Sequence, residues 1–133
     1  QDHVLATIQN LYGHPVLMDR NQPHVLKYDP SHRSVQIHCD QCHLTVNLMM
    51  SPRSEYQGGG TCMVDLKQQR VILEQGEFLL HFGHLPHGSY DVTSGTRYLM
   101  VFFVYFLPPP PPPAPPLMTL AILDNRTDDQ NAR

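Results

Sequence analysis

Apolar and polar positions alternate in short segments along most of the chain, a pattern typical of β-strands. In SVQIHCD (34–40), Val35 and Ile37 fall on one face, while His38 and Asp40 fall on the other. We therefore predict a strand whose two apolar residues face the outer packing layer. The histidine and the aspartate would point together toward the interior.

Further segments of this kind lie between turn signals. HLTVNLMM (43–50) places aliphatic side chains on one face and Thr45 and Asn47 on the other. The remaining predicted strands are PHVLKYD, TCMVDL, RVILEQG, EFLLHFG, HGSYDV and TRYLMVFFVYF. About eight short strands at this spacing predict an all-β sandwich or jelly roll.

Only one segment, HVLATIQNLYG (3–13), has helical spacing. Val4, Ile8 and Leu11 share one face of that helix, and Gly13 is placed to end it. The sequence therefore predicts at most one short helix, at the N-terminal end of a mainly β domain.

The composition changes abruptly after Leu107. PPPPPPAPP (108–116) favours a polyproline II conformation, and the polar last residues, LDNRTDDQNAR, are expected to be disordered. We place the domain at 1–107 and a Pro-rich linker with a polar tail at 108–133. The proline run could bind polyproline-recognising domains or serve as a stiff linker.

Composition excludes some classes of protein. The 133-residue chain has a formal net charge of −3, and its nine Lys and Arg residues are scattered, so nucleic acid is not an expected partner. The longest apolar run, residues 98–107, is too short to span a bilayer. Three cysteines do not form a disulfide framework, and no signal peptide is visible at the first residues.

Nine histidines is a high number for this length, and several lie close together in the sequence. On a strand, His38 and Asp40 project to the same side, which suits two ligands of an iron site made from two imidazoles and one carboxylate. The third ligand must come from a distant strand, and His81, His84 and His87 are the candidates.

The motifs HCD, YQGGG and GEFLLHFGHLPHGSYDVTSGTRYLMVFF together resemble the catalytic core of Fe(II)- and 2-oxoglutarate-dependent dioxygenases, in particular the prolyl/lysyl hydroxylase branch. In that branch the final histidine stands ten residues before the arginine of G-T-R-Y, as His87 does before Arg97. The resemblance covers roughly residues 23–106. It implies that His38, Asp40 and His87 are the iron ligands.

The same resemblance implies roles for other residues. Arg97 would bind the distal carboxylate of 2-oxoglutarate, for which a guanidinium is physically suited. Tyr28 stands where related enzymes have a cosubstrate-binding tyrosine, and Thr45 and Asn47 could add hydrogen bonds in the cosubstrate pocket. The fold would be a double-stranded β-helix, of the jelly-roll or cupin-like type.

The implied activity is hydroxylation of an unactivated C–H bond, with release of succinate and carbon dioxide. Iron, 2-oxoglutarate and oxygen would take part, and ascorbate would support activity. A prolyl or lysyl side chain of a protein is the favoured substrate, with a small molecule as an alternative. Localisation would be the endoplasmic reticulum lumen for an enzyme like the lysyl or prolyl hydroxylases, and otherwise the cytoplasm.

Two other readings of the site stay open. The chain could be a non-catalytic jelly-roll binding module, or Cys39 and Cys42 with nearby histidines could bind zinc. No second C-x-x-C accompanies these cysteines, so Cys39 is expected to be a small apolar filler. Only about 22 residues precede PHVLKYD, room for one helix, so a fragment of a larger protein or a truncated domain is also considered.

Overall fold

Within the residues that the structure describes, the fold is built from one α-helix, eleven strands and two short 3-10 helices, at Arg53–Glu55 and Val64–Leu66. The structure, a computed structural model, describes residues 2–108 and 121–124, the last four by their backbone only. The elements are α1 (Asp2–Tyr12), β1 (Val16–Met18), β2 (His24–Tyr28), β3 (Leu44–Met49), β4 (Tyr56–Gly58), β5 (Thr61–Met63), β6 (Gln69–Val71), β7 (Glu77–Phe82), β8 (His87–Ser89), β9 (Val92–Gly95), β10 (Arg97–Phe106) and β11 (Ala121–Asp124). A mainly β protein with one short N-terminal helix is thus confirmed.

The strands form one large and two small sheets, and every pairing is antiparallel. The large sheet has the order β1-β10-β3-β7-β11, and β2 pairs with the first half of β10. The small sheets are β6-β5-β8 and β4-β9. This arrangement is consistent with a jelly roll.

One face of the large sheet is covered by α1. Val4 and Ile8 are buried against it, in a cluster that also contains Val16, Leu44, Val46, Phe78, Leu80, Phe102, Val104 and Phe106. Leu11, predicted to share this face, is 51% exposed. Tyr12 packs there instead, with its ring centroid 5.2 Å from that of Phe106, because contacts follow the i, i+4, i+8 row.

The end of α1 agrees with the prediction. Gly13 has a φ of +67°, and its N–H donates a hydrogen bond to the carbonyl of Gln9 over 2.8 Å. A glycine adopts this left-handed conformation without a steric penalty, so it closes the last turn of the helix.

The opposite face of the large sheet points toward the small sheets. As predicted for β3, Leu44 and Val46 lie in the cluster under α1, whereas Thr45 and Asn47 line a cavity on the other side. A second apolar cluster lies beside this cavity and contains Tyr28, Met49, Tyr56, Met63, Val71, Leu73, Leu79, Leu85, Val92 and Leu99. The cavity therefore lies between the sheets, beside an apolar core.

The prediction of a strand at 34–40 is wrong. The segment forms only an isolated bridge, between His38 and His87. The Val35 N–H is bonded to the Ser89 side-chain oxygen, which replaces a regular ladder bond. Val35 and Ile37 are 39% and 53% exposed, so they do not face an outer packing layer.

The C-terminal part of the chain extends past the proposed boundary at residue 107 with one strand, β11, which pairs with β7. The predicted polyproline segment, apart from Pro108, lies outside the described residues. The tail predicted to be disordered, LDNRTDDQNAR (123–133), begins with Leu123 and Asp124, which lie in β11 instead, and its remaining residues lie outside the described part of the chain. The division into 1–107 and 108–133 stays a prediction. In the described part of the chain, no helix has the length and apolar character needed to cross a membrane.

Candidate active site

One cavity of about 160 Å³ brings the predicted site residues together. They come from separate elements and a connecting segment, and all of them line it: Tyr28, His38, Asp40, Thr45, Asn47, His87 and Arg97. The cavity suits a small molecule, since pockets for drug-sized ligands are about 300 Å³ or larger.

Two histidines and an aspartate converge at the cavity. Nε2 of His38 lies 3.5 Å from Oδ1 of Asp40, and Nε2 of His87 lies 3.3 Å from Oδ2 of the same carboxylate. One ligand atom from each residue lies within 4.8 Å of the others. Neighbouring ligands of an octahedral metal with bonds of about 2.1 Å are about 3 Å apart. The grouping can therefore hold a metal after small side-chain movements.

Both imidazoles present the same nitrogen to the cavity. Nδ1 of His38 lies 2.7 Å from the carbonyl oxygen of Gln36, and Nδ1 of His87 lies 2.9 Å from that of Leu85. A carbonyl only accepts, so Nδ1 of each ring carries the hydrogen, which leaves Nε2 as a potential ligand when the ring is neutral. Such backbone acceptors behind metal-binding histidines fix both ring orientation and tautomer.

Backbone contacts position these three side chains. His38 and His87 exchange two backbone hydrogen bonds, of 2.8 and 2.9 Å, which join the irregular segment to β8. The Asp40 N–H donates to the carbonyl of Gly83 over 2.8 Å. The triad is thus assembled by strand-like pairing across about fifty residues of sequence, although its first two members do not lie in a regular strand.

The pKa values of Asp40 and His87 are shifted by the contact between the two side chains. Burial alone would raise the pKa of Asp40, but hydrogen bonds from His87 and Thr45 hold that pKa below its ordinary value. Burial alone would lower the pKa of His87, yet the hydrogen bond to Asp40 raises it above its ordinary value. The carboxylate is therefore ionised at neutral pH and available to a cation.

Arg97 is a buried cation. Its side chain is 1% exposed, and its Nε and Nη1 have no hydrogen-bond partner among the described residues. Its guanidinium carbon lies 5.3 Å from the centroid of the Tyr28 ring. Desolvation lowers the pKa of Arg97, but a guanidinium stays protonated in proteins. None of the ion pairs within residues 2–108 involves this side chain.

Tyr28 lies beside this cation as a buried phenol. Burial raises its pKa, while the positive charge of Arg97 and a hydrogen bond with Ser89 act in the opposite direction. Its hydroxyl therefore stays protonated at neutral pH and can donate a hydrogen bond. Ser89 also lines the cavity and was not predicted, because a lone serine in a strand carries no motif.

Thr45 and Asn47 line the cavity as predicted, but their contacts are to other side chains. The Thr45 hydroxyl donates to Oδ2 of Asp40 over 2.6 Å. The Asn47 amide nitrogen lies 3.3 Å from Nε2 of His81. Thr45 therefore contacts the triad directly, whereas Asn47 contacts His81, a neighbour of the triad.

The two other candidate histidines are not in the triad. His81 is fully buried, with Nδ1 bonded to the Phe82 carbonyl and Nε2 to Asn47, so both its nitrogens are occupied. Burial lowers the pKa of His81 to about 4, so it is neutral at physiological pH. Its ring packs at 4.3 Å from that of His87. His84 is exposed and stacks on Phe82.

The three cysteines are free thiols. Cys39 is exposed and its Sγ lies 3.3 Å from the His84 carbonyl oxygen, so its prediction as an apolar filler is wrong. Cys42 is half-buried with its Sγ 3.3 Å from the Thr45 hydroxyl oxygen. Within the described residues, the metal-ligating group is the His-Asp-His triad and contains no cysteine.

The donor set fits the groups that the sequence predicts. Two imidazole nitrogens and one carboxylate leave coordination positions open, as non-haem iron oxygenases require. Two guanidinium nitrogens of Arg97, Nε and Nη1, have no partner among the described residues and match a carboxylate acceptor, and the residue lines the same cavity. The cavity thus offers a metal and a small organic acid adjoining places.

Comparison with known proteins bears on part of the chain. No family model matches the chain. A procollagen-lysine,2-oxoglutarate 5-dioxygenase from Drosophila melanogaster is 32% identical over 84 residues, which cover 60% of this chain. The same region covers 12% of that enzyme, so the chain spans a small part of its relative's length. Over 84 residues the chain is thus related to a protein named as a 2-oxoglutarate dioxygenase, and its described residues contain a His-Asp-His triad.

Proposed function

We propose that this chain forms the core of an Fe(II)- and 2-oxoglutarate-dependent dioxygenase that hydroxylates an unactivated C–H bond. The favoured substrate is a lysyl or prolyl side chain of a protein, and succinate and carbon dioxide are the other products. The partial relation to a procollagen-lysine dioxygenase and the triad geometry support this proposal.

One observation carries the proposal: Arg97 lines the same cavity as the triad, and two nitrogens of its buried guanidinium, Nε and Nη1, have no hydrogen-bond partner among the described residues. A charge removed from water costs several kcal/mol unless it is paired. Such an arrangement is expected where a ligand supplies the missing partner. In the proposed complex, 2-oxoglutarate would direct its distal carboxylate to Arg97 and its other end toward the triad.

The residues of the chain would act mainly by binding and orientation. His38, Asp40 and His87 would hold Fe(II), which supplies the oxygen activation and oxidising power when bound. Arg97 would orient the cosubstrate through charge-assisted hydrogen bonds to its distal carboxylate. Tyr28 would donate a hydrogen bond from its hydroxyl to the same carboxylate.

The apolar part of the lining would lower the local dielectric beside Arg97. Leu99, Val101 and Phe103 of β10 line the cavity beside the polar residues. A low-dielectric wall strengthens the pairing of Arg97 with a carboxylate and limits unproductive side reactions. Ascorbate is proposed as a supporting reductant by the same family relation.

A protein substrate is favoured by the exposure of the site. The His38 side chain is 40% exposed, so the triad reaches the surface and is accessible to a side chain of a large partner. By relation to the procollagen-lysine enzyme, we propose the endoplasmic reticulum lumen as the compartment. The Pro-rich segment remains a proposed ligand for polyproline-recognising domains.

A succinate assay tests this function. The chain is incubated with Fe(II), ascorbate and 2-oxoglutarate, with lysine- or proline-containing collagen-like peptides, and succinate and peptide mass are measured. We expect succinate formation and the gain of one oxygen atom by the peptide. Arg97→Ala and His87→Ala should abolish both signals.

Matched controls separate chemistry from general damage to the protein. Arg20→Ala and His84→Ala remove an exposed arginine and an exposed histidine, and neither residue lines the cavity. Both variants should retain activity. No succinate from the wild-type chain would exclude the proposed function and favour a non-catalytic binding module. Equal turnover in His87→Ala would exclude the triad as the metal site of the reaction. Turnover without peptide modification would favour a small-molecule substrate.

A further inference from the structure

Asp40 receives a hydrogen bond that involves no other member of the triad. The Thr45 hydroxyl donates to Oδ2 of Asp40 over 2.6 Å. We infer that Thr45 is a positioning residue that orients the Asp40 carboxylate toward the metal and does not bind 2-oxoglutarate. The inference rests on the proposed function of the triad as a metal site.

Thr45 is placed on a rigid support. It lies inside β3, paired with Phe103 of β10 on one side and with His81 of β7 on the other. Its side chain is 1% exposed. A hydroxyl in the centre of a sheet has little freedom to move, so it can fix the orientation of a group that bonds to it.

Asp40 has less regular surroundings. It lies between the isolated bridge at His38 and the start of β3, in a segment without regular strand structure. Its backbone is held against Gly83, where an added Cβ would come within 2.9 Å of the Asp40 carbonyl oxygen. This contact fixes the backbone but does not fix rotation of the carboxylate about its side-chain bonds. Histidines that bind a metal through Nε2 no longer donate to Asp40, so the Thr45 hydrogen bond would then supply that restraint.

The hydroxyl hydrogen of Thr45 already takes part in a hydrogen bond. A hydroxyl has one hydrogen to donate, and in Thr45 it is directed to Asp40. A bound carboxylate would need that same hydrogen. The oxygen of Thr45 lies 3.3 Å from Sγ of Cys42, which can donate to it and complete a chain from thiol to hydroxyl to carboxylate.

The arrangement distinguishes the two carboxylate oxygens. Oδ2 accepts the Thr45 hydrogen bond and lies 3.3 Å from Nε2 of His87, while Oδ1 lies 3.5 Å from Nε2 of His38 and has no contact with Thr45. Fixing the carboxylate in this way favours binding of a metal through one oxygen, which leaves positions for other ligands. Partners behind metal ligands commonly change metal affinity about 10- to 100-fold when they are removed.

The test compares three variants of the 133-residue chain with Co(II) as the probe, because its visible absorption reports coordination. Thr45→Val removes the hydroxyl at nearly constant volume, Thr45→Ala removes it with a smaller side chain, and Thr45→Ser keeps it. We expect Thr45→Val and Thr45→Ala to bind Co(II) about 10- to 100-fold more weakly, with an altered absorption spectrum. Thr45→Ser should restore both properties.

Unchanged Co(II) affinity and spectrum in Thr45→Val and Thr45→Ala would overturn the inference, whether or not 2-oxoglutarate binding weakens. The wild-type chain distinguishes this failure from failure of the proposed function. If it binds Co(II) but forms no succinate with Fe(II), the hydroxylase is excluded while the Thr45 comparison still decides the positioning role. If it binds no Co(II), both are overturned.

Discussion

The guanidinium of Arg97 lies over the ring of Tyr28, at 5.3 Å from its centroid, and both side chains line the cavity that holds the triad. The ring face stabilises the cation by about 0.5 to 2 kcal/mol, which offsets part of the cost of burying it. The rest of the desolvation cost remains in the ligand-free protein, because Nε and Nη1 of Arg97 have no hydrogen-bond partner among the described residues.

Arg97→Met should therefore make the ligand-free protein more stable while it removes cosubstrate binding. We expect a gain of about 1 to 3 kcal/mol in the free energy of unfolding, because an uncompensated buried charge is replaced by an apolar side chain of similar length. Urea denaturation measures the gain. Saturating 2-oxoglutarate with Mn(II) should raise the melting temperature of the wild type but not of the variant. A less stable Arg97→Met protein would contradict the burial argument.

Gly59→Ala should disturb the position of Arg97. An added Cβ would lie 3.1 Å from Cδ of Arg97, and Gly59 has a φ of +65°. Gly13 provides the control, because its φ is +67° and nothing lies within 4 Å of an added Cβ. Both alanine variants should lose about 1 to 2 kcal/mol of stability through backbone strain. Only Gly59→Ala should also weaken 2-oxoglutarate binding, measured by calorimetry; equal affinities in the two variants would argue against a role for this contact.

The acid titration of Asp29 should reflect its local hydrogen bonds. The Ser31 hydroxyl and backbone N–H, then Lys27 and the His32 N–H, hold the pKa of Asp29 well below its ordinary value of 3.8. Its contribution to stability is thus present above about pH 3.8 and is lost as the pH falls through the lower folded-state value. Ser31→Ala should raise this pKa toward 3.8, as measured by carboxyl NMR titration. A titration that Ser31→Ala leaves unchanged would refute the assignment of cause.

The packing of α1 gives a prediction about stability alone. Ile8 is fully buried and Leu11 is 51% exposed. Ile8→Ala should cost about 2 to 4 kcal/mol through lost burial and a residual cavity. Leu11→Ala should change stability by no more than about 0.5 kcal/mol. Similar losses in both variants, measured by chemical denaturation, would mean that Leu11 packs as the helical pattern predicted.

The sequence predicted the regular parts of this fold well. In β3, apolar and polar residues alternate because one face meets the core under α1 and the other meets the cavity, so Thr45 and Asn47 were placed on the correct side. The prediction failed at 34–40, because the bond from the Val35 N–H to the Ser89 side chain depends on a partner 54 residues away. Alternation alone does not reveal such a replacement.

The site was predictable in its residue types but not in its contacts. The spacing of His87 and Arg97, seen through a family resemblance, led to residues that line one cavity with His38 and Asp40. The hydrogen bond from Thr45 to Asp40 could not be predicted, since it depends on how an irregular segment meets β3. Likewise, the sequence does not show that His81 is buried and His84 is exposed, because burial depends on the residues that surround each side chain in the fold.

The central claim is that the triad and Arg97 form one site in which a metal and 2-oxoglutarate bind together. The most direct test is calorimetric titration of the wild-type chain and His87→Ala with 2-oxoglutarate, with and without Mn(II). We expect Mn(II) to tighten 2-oxoglutarate binding by the wild-type chain at least about tenfold, a coupling of about 1.4 kcal/mol, and His87→Ala to abolish this effect. Equal affinity of the wild-type chain for 2-oxoglutarate with and without the metal would contradict it.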